Sequence, residues 1–166
     1  MNNDIIPLFG IRNQGNTCYI NSVIQCLRHN PDLVKYLISE KLNMDVNKKL
    51  KSQNKKTEDR SLILIESFGN ILLETIENKP QIIRPISFIQ KFDREFSQVA
   101  LNPQDAHEAL NFLLDNFHEN ISRAVNIYRQ SNISKETEKN WKKFYENQYS
   151  EIIKIYFGQF KSDIEC

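Results

Sequence analysis

The chain has 166 residues, 40% of them hydrophobic and 26% charged, the balance of a soluble globular protein about one domain long. A formal net charge of +1 sets up no global field for nucleic acid or an anionic membrane surface. The opening MNNDII has no basic stretch followed by a long apolar one, so no signal peptide is expected, and the longest unbroken apolar run, Leu62 to Ile65, is far too short to cross a bilayer.

In chain order, a first helix is expected to begin near Thr17 or Cys18 and to end near Asn30. Asn30 reads as the N-cap of a second helix, with Pro31 at its first position and Leu33, Val34 and Leu37 on its apolar face. From Asp45 to Arg60 the segment DVNKKLKSQNKKTEDR offers only Val46 and Leu50 as apolar residues and reads as an exposed, mobile insertion. Its lysines read as a solvated loop in preference to a nucleic-acid patch, because no aromatic side chains interleave. Leu62, Ile65, Phe68, Leu72 and Ile76 follow helical spacing.

A further helix is expected from Pro85, with Ile86, Ile89, Phe92 and Phe96 inward. Asn102 and Pro103 open a long one, with Asp105 and Glu108 in its first turn, where the helix dipole favours anions. Its core face is Ala106, Leu110, Leu113, Leu114, Phe117 and Ile121. Ser134 caps another helix running through Trp141 and Tyr145. The final stretch, IIKIYFGQFKSDIEC, is rich in β-branched and aromatic residues and reads as strand, turn and strand. The expected fold is mainly α with a short β segment at the C-terminus.

The three cysteines, Cys18, Cys26 and Cys166, cannot all pair. Along a helix Cys18 and Cys26 stand roughly 12 Å apart, beyond the ~7 Å Cα limit of a disulfide. Free thiols without an export signal point to the cytoplasm or nucleus.

Cys18 lies in GIRNQGNTCYINSVIQCL, residues 10 to 27, between a polar, glycine-dotted loop and an apolar run. A helix start lowers a thiol pKa, because unpaired backbone N–H groups and the dipole favour the thiolate, which is the nucleophile. Gly10 and Gly15 allow the loop to bend sharply, and Asn13 and Asn16 offer side-chain amides to a developing oxyanion, one such donor being worth about 3 kcal/mol in a transition state. The competing reading is a small buried hydrophobe. Cys26, inside the same helix, is assigned to the core on that ground.

Residues 10 to 27, with Pro31, Leu33, Tyr36 and Leu37 after them, are similar to the cysteine box of the ubiquitin-specific proteases, the papain-like deubiquitinating cysteine peptidases. NPQDAHEALNFLLDNFHENI, residues 102 to 121, resembles the Gln-Asp-Ala-His-Glu box of that family. Trp141 onward, through IIKIYFGQFKSDIEC, resembles the segment leading into its fingers region. Three boxes in order cover nearly the whole chain.

The resemblance implies that Cys18 is the nucleophile toward the ubiquitin C-terminal glycine and that Asn13 donates to the oxyanion. It also implies that Gln104 and Asp105 line the substrate cleft, and that Cys166 is the first ligand of a structural zinc in the full-length fingers region, with no cofactor needed for catalysis. For Asp105 helix capping is the alternative role, and for Cys166 a lone cysteine, since zinc takes about four ligands. Two positions depart from the family box: Pro103 and Ala109. Ubiquitin or ubiquitinated proteins are the expected partners, with neither nucleic acid nor membrane.

A thiol protease needs an imidazole base. His29 falls some 16 Å from Cys18 along the same helix, and His107 and His118 belong to the second box, to which the resemblance gives no catalytic histidine. In the family that histidine comes later. The chain therefore reads as the thumb (residues 1–151) and the start of the β-rich fingers (152–166) of a larger catalytic domain, completed by a complementary C-terminal half. A non-cleaving ubiquitin-binding homologue and an inert helical scaffold are the other readings.

Overall fold

The computed structural model describes residues 7–53, 63–97, 105–127, 134–160, 162 and 165. Eight helices and one pair of two-residue strands occupy these residues. In chain order they are β1 (Gly10–Ile11), α1 (Cys18–Leu27), α2 (Pro31–Leu37), α3 (Glu40–Ser52), α4 (Leu64–Asn78), β2 (Ile82–Ile83), α5 (Ile86–Phe96), α6 (Ala106–Ile121), α7 (Lys135–Tyr145) and α8 (Glu151–Tyr156). The mainly α architecture is as expected. The sheet is parallel, with Gly10 opposite Ile82 and Ile11 opposite Ile83, and it lies near the N-terminus.

α6 organises the core. Ala109, Leu113, Phe117 and Ile121 recur every fourth residue and are all buried, a stripe that a 3.6-residue helical turn keeps on one face. That helix packs against α1, α3, α4 and α8. Phe117 stacks on Phe68 of α4 with ring centroids 5.9 Å apart, and Phe112 meets Phe96 of α5 at 5.3 Å. Aromatic pairs at these separations add to the stabilisation from area burial.

Local chemistry sets the helix ends. Asn30 caps α2, its Oδ1 accepting from the N–H groups of Asp32 and Leu33 at 3.1 Å each, with Pro31 next in line. Ser134 caps α7 through Thr137 N–H at 3.1 Å. α6 begins one residue after its cap, Asp105, and the expected opening at Asn102 and Pro103 lies outside the described residues. Gly69 of α4 sits so close to α2 that an added Cβ would meet the Leu37 carbonyl oxygen at 2.9 Å.

Three expectations are corrected. Residues 45–52 are helical, as the second half of α3, and Asp45, Val46 and Leu50 are buried. Leu42, Val46 and Leu50 repeat every fourth residue, and the buried Asp45 carboxylate accepts from Arg123 Nη1 at 2.8 Å and Tyr36 Oη at 3.2 Å. Residues 54–60 of the expected insertion lie outside the described residues. In α5, Ile86 is exposed and Phe88 takes the inward place.

The third correction concerns the expected strand from Ile152. This segment begins as helix α8, capped by Ser150, whose Oγ accepts from Ile153 N–H at 3.2 Å. Neighbours Ile152 and Ile153 are both buried, which a helix permits and a strand with one face in solvent does not. Strand propensity yielded to packing against α6 and α2. Beyond α8, Phe157 and Phe160 are exposed.

Candidate active site

The approach to Cys18 is held from two sides. Gly10 N–H donates to Gln81 O at 2.7 Å and Arg12 N–H to Ile83 O at 3.0 Å, fixing the chain that enters the loop. From the other side Arg28, on the turn after α1, lies over the Phe9 ring at 4.4 Å and donates through Nη1 to Pro7 O at 2.9 Å. Gly10 is in the extended strand and does not make the bend expected of it. The turn falls on Gly15 (φ 87°) and Asn16 (φ 50°), consecutive left-handed residues. A glycine and an asparagine are the residue types that accept this conformation at least cost.

Around that turn the Asn13 side chain folds back. Its Oδ1 accepts from Gly15 N–H at 3.2 Å, Thr17 N–H at 3.3 Å and Thr17 Oγ1–H at 3.0 Å. The amide nitrogen has no hydrogen-bond partner among the described residues, and the residue is exposed. Thr17 occupies the N-cap position of α1, yet no side chain caps that helix.

Cys18 is the first residue of α1 and its side chain is exposed. It is not sequestered in the core, so its thiol is open to a substrate. The next residue locks the helix start in place: Tyr19 Oη donates to Asp93 Oδ1 at 3.1 Å and its ring packs on Phe92 and Phe96 of α5. Burial and the neighbouring Asp93 carboxylate both push the Tyr19 phenol up, so it remains a neutral donor. Ser22 Oγ donates back to the Cys18 and Tyr19 carbonyls at 3.0 and 2.8 Å.

Cys26 is also exposed, which corrects its assignment to the core. Ile20, Val23, Ile24 and Leu27 form the buried stripe of α1, and Cys26 lies off it. It borders a cavity of about 600 Å³ with His29, Asn30, Leu110, Leu114 and Tyr156.

Asp105 caps α6, its Oδ1 accepting from His107 N–H at 2.8 Å and Glu108 N–H at 3.0 Å. Those two backbone donors, Glu108 foremost, hold its carboxyl below the usual range. Gln104 and Cys166 lie outside the described residues. Among the described residues no group of three or more His, Cys, Asp or Glu side chains could hold a metal ion, so these residues provide no zinc ligand set.

Each histidine has a local partner elsewhere. His29 Nδ1 is 2.6 Å from the Gln25 carbonyl oxygen, which can only accept, so this nitrogen carries the proton. His107 is exposed, 3.5 Å from Asn111 Nδ2. His118 is half-buried, with Nδ1 2.8 Å from Ser150 Oγ. None is hydrogen-bonded to Cys18. The arrangement thus presents an exposed thiol at the start of α1, a side-chain amide in the loop before it, and no histidine hydrogen-bonded to that thiol among the described residues.

A family model described as ubiquitin carboxyl-terminal hydrolase matches residues 9–166. The chain belongs to the ubiquitin carboxyl-terminal hydrolase family. The human protein named ubiquitin carboxyl-terminal hydrolase 2 is 32% identical over 171 residues, taking in 96% of this chain and 26% of that protein. The fruit-fly Drosophila melanogaster protein named ubiquitin carboxyl-terminal hydrolase Usp2 is 28% identical over 165 residues, with 96% of this chain and 16% of that protein covered. Ubiquitin carboxyl-terminal hydrolase 15 of Xenopus tropicalis is 29% identical over 176 residues, again with 96% of this chain and 16% of the relative covered. The chain therefore spans about a quarter or less of these family members.

Sequence reasoning did not single out Thr17 or Asn21 beside Cys18. Both are buried polar residues flanking Cys18. Their signal was available: two side chains of the Ser/Thr/Asn class spaced four apart across a helix start.

Proposed function

We propose that this chain carries the nucleophile of a deubiquitinating thiol protease, which hydrolyses the isopeptide or peptide bond at the ubiquitin C-terminal glycine. The observation that supports it is the exposed Cys18 thiol on the first residue of a helix that has no side-chain cap, reached through a loop that carries Asn13. In this reading the Cys18 thiolate adds to the glycine carbonyl carbon, and the carbonyl oxygen becomes an oxyanion. Asn13 Nδ2–H donates to it. An imidazolium gives its proton to the departing amine as the C–N bond breaks, leaving a thioester. Water, losing a proton to the same imidazole, then releases the ubiquitin carboxylate and regenerates the thiol.

The imidazole is supplied from outside residues 1–166, by a complementary C-terminal half of the catalytic domain. Residues 1–151 form the thumb and 152–166 lead toward the fingers, with α8 as the packed junction. Gln104 and Asp105 contact the ubiquitin tail. Asp105 is suited to both tasks, because its Oδ1 caps α6 while Oδ2 has no partner among the described residues. Cys166 contributes the first ligand of the fingers zinc, and no catalytic step passes through that metal.

A ubiquitin-binding homologue that does not cleave is the second reading, favoured by the local partners of His29, His107 and His118. One probe separates the two. Ubiquitin bearing a C-terminal electrophile is expected to label Cys18 and not Cys26, slowly in the 166-residue chain, and faster once a histidine-bearing C-terminal half is supplied. Cys18→Ser abolishes this labelling, as peptide mapping by mass spectrometry would read. Labelling of the Cys18→Ser chain at the wild-type rate defeats the protease reading. Reversible ubiquitin binding without labelling supports the second.

A further inference from the structure

We infer that Thr17 is a positioning residue for the Asn13 amide, and that Asn21 sets the direction in which the Thr17 hydroxyl donates. The inference deepens the protease reading and rests on it for the role of Asn13.

A threonine hydroxyl has one proton and two acceptor lone pairs. At Thr17 three neighbours match that capacity. Gln14 N–H donates to Oγ1 at 3.0 Å, and Asn21 Nδ2–H donates to it at 3.4 Å. Both are donors, so the hydroxyl proton is left for Asn13 Oδ1, 3.0 Å away. Asn13 Oδ1 also receives the N–H groups of Gly15 and Thr17. Backbone N–H groups cannot accept, so the oxygen end of the Asn13 amide is fixed against the loop and the Nδ2 end is turned away from it.

An N-cap threonine ordinarily turns its hydroxyl onto the N–H groups of the helix it starts. Thr17 does not: α1 has no side-chain cap bond. Its hydroxyl serves the loop and leaves the first-turn amides beside Cys18 uncapped by it. Thr17 is 6% exposed, so water does not replace these contacts freely. Asn21, also buried, holds its Nδ2 toward Thr17 while its Oδ1 is buried without a partner. A buried amide oxygen left unmatched is an uncommon arrangement in native proteins. The arrangement is accounted for if the nitrogen is needed at Thr17.

The test reads the Asn13 side chain by NMR in the 166-residue chain. Three-bond couplings about its χ1 are expected to show one rotamer in the wild type and in Thr17→Ser. In Thr17→Val they collapse toward the rotamer average, while the amide shifts of Ile20 to Leu27 stay in place. Thr17→Ala gives the same reading if the valine methyl cannot be housed. Wild-type couplings in folded Thr17→Val or Thr17→Ala overturn the inference, and so does averaging in Thr17→Ser.

In the active enzyme, Thr17→Val lowers kcat about 10-fold or more with KM retained, without exceeding the roughly 10²–10³-fold loss of removing an oxyanion donor outright. Adding it to Asn13→Ala costs nothing further. An equal added loss in the Asn13→Ala background overturns the positioning role. If Cys18→Ser retains activity while the couplings behave as stated, the protease reading falls and the geometry of Asn13 stands.

Discussion

His118 shows how a single side chain ties stability to pH. Its Nδ1 lies 2.8 Å from Ser150 Oγ, which also accepts from Ile153 N–H at 3.2 Å. Burial lowers its pKa below the usual 6.5, Lys49 of α3 lowers it further, and Asp115 and Glu119 of α6 oppose both. The unfolded chain therefore binds this proton more readily than the folded one. Stability is complete above the unfolded value of about 6.5 and is lost as pH falls from there through the folded pKa. His118→Gln should flatten that slope, as urea unfolding between pH 7 and 5 would measure. Equal slopes for both proteins would refute the linkage. The sequence made parts of the residue scale readable. Cys18 and Asn13 stand out by residue type and place, a thiol at a helix start and an amide in the loop before it. Cys26 was misplaced, although the Ile20, Val23, Ile24 and Leu27 phase already excludes it from the buried stripe. The Thr17–Asn13 bond was not readable, since it depends on the left-handed backbone at Gly15 and Asn16.

Among the elements, α4 comes close to α2 at Gly69, where no side chain stands between them. Alanine at an exposed helical site gains about 1 kcal/mol over glycine in propensity. Here its methyl would stand 2.9 Å from the Leu37 carbonyl oxygen, a backbone atom that moves only if α2 moves. Overpacking of this kind costs roughly 1–3 kcal/mol, so the clash outweighs the propensity gain. Gly69→Ala should therefore lower the urea midpoint without changing the m-value. A raised midpoint would show that the two helices separate freely. The same competition explains which elements could be read in advance. α2 and α6 carry caps at their starts, Asn30 and Asp105, and a buried apolar face that agrees with them, while α7 is marked by its cap Ser134 alone. In α3, lysine-rich composition concealed the Leu42, Val46 and Leu50 stripe and a buried carboxylate whose partner, Arg123, lies 78 residues away. In α8, β-branched residues signalled a strand. What held the helix was the local cap of Ser150, together with two contacts distant in sequence, the ion pair of Glu151 with Lys41 of α3 and the packing against α6.

At the scale of the whole molecule the helices differ in how firmly each is tied in. α6 is surrounded by α1, α3, α4 and α8, and its buried stripe has no exposed member. Exposing its amides requires the removal of several neighbours at once, which amounts to global unfolding. α7 has no buried residue; the Trp141–Tyr145 ring contact at 4.4 Å is internal to it, and Tyr145 meets Phe157, just after α8, edge-on at 6.3 Å. Such a helix opens without disturbing the core. Amide hydrogen exchange followed by NMR should then give Leu113 to Phe117 the highest protection, accelerating with added urea as the global m-value dictates. Amides of Lys139 to Tyr145 should exchange faster by orders of magnitude and respond weakly to urea. Protection of α7 equal to that of α6 would mean that the aromatic edges bind α7 into the same cooperative unit. The site gains from this division: α1 is tied to the most protected helix, and Tyr19 is locked to α5 by Asp93. If the exchange pattern is as expected, Cys18 projects from the cooperative core and α7 opens independently of it.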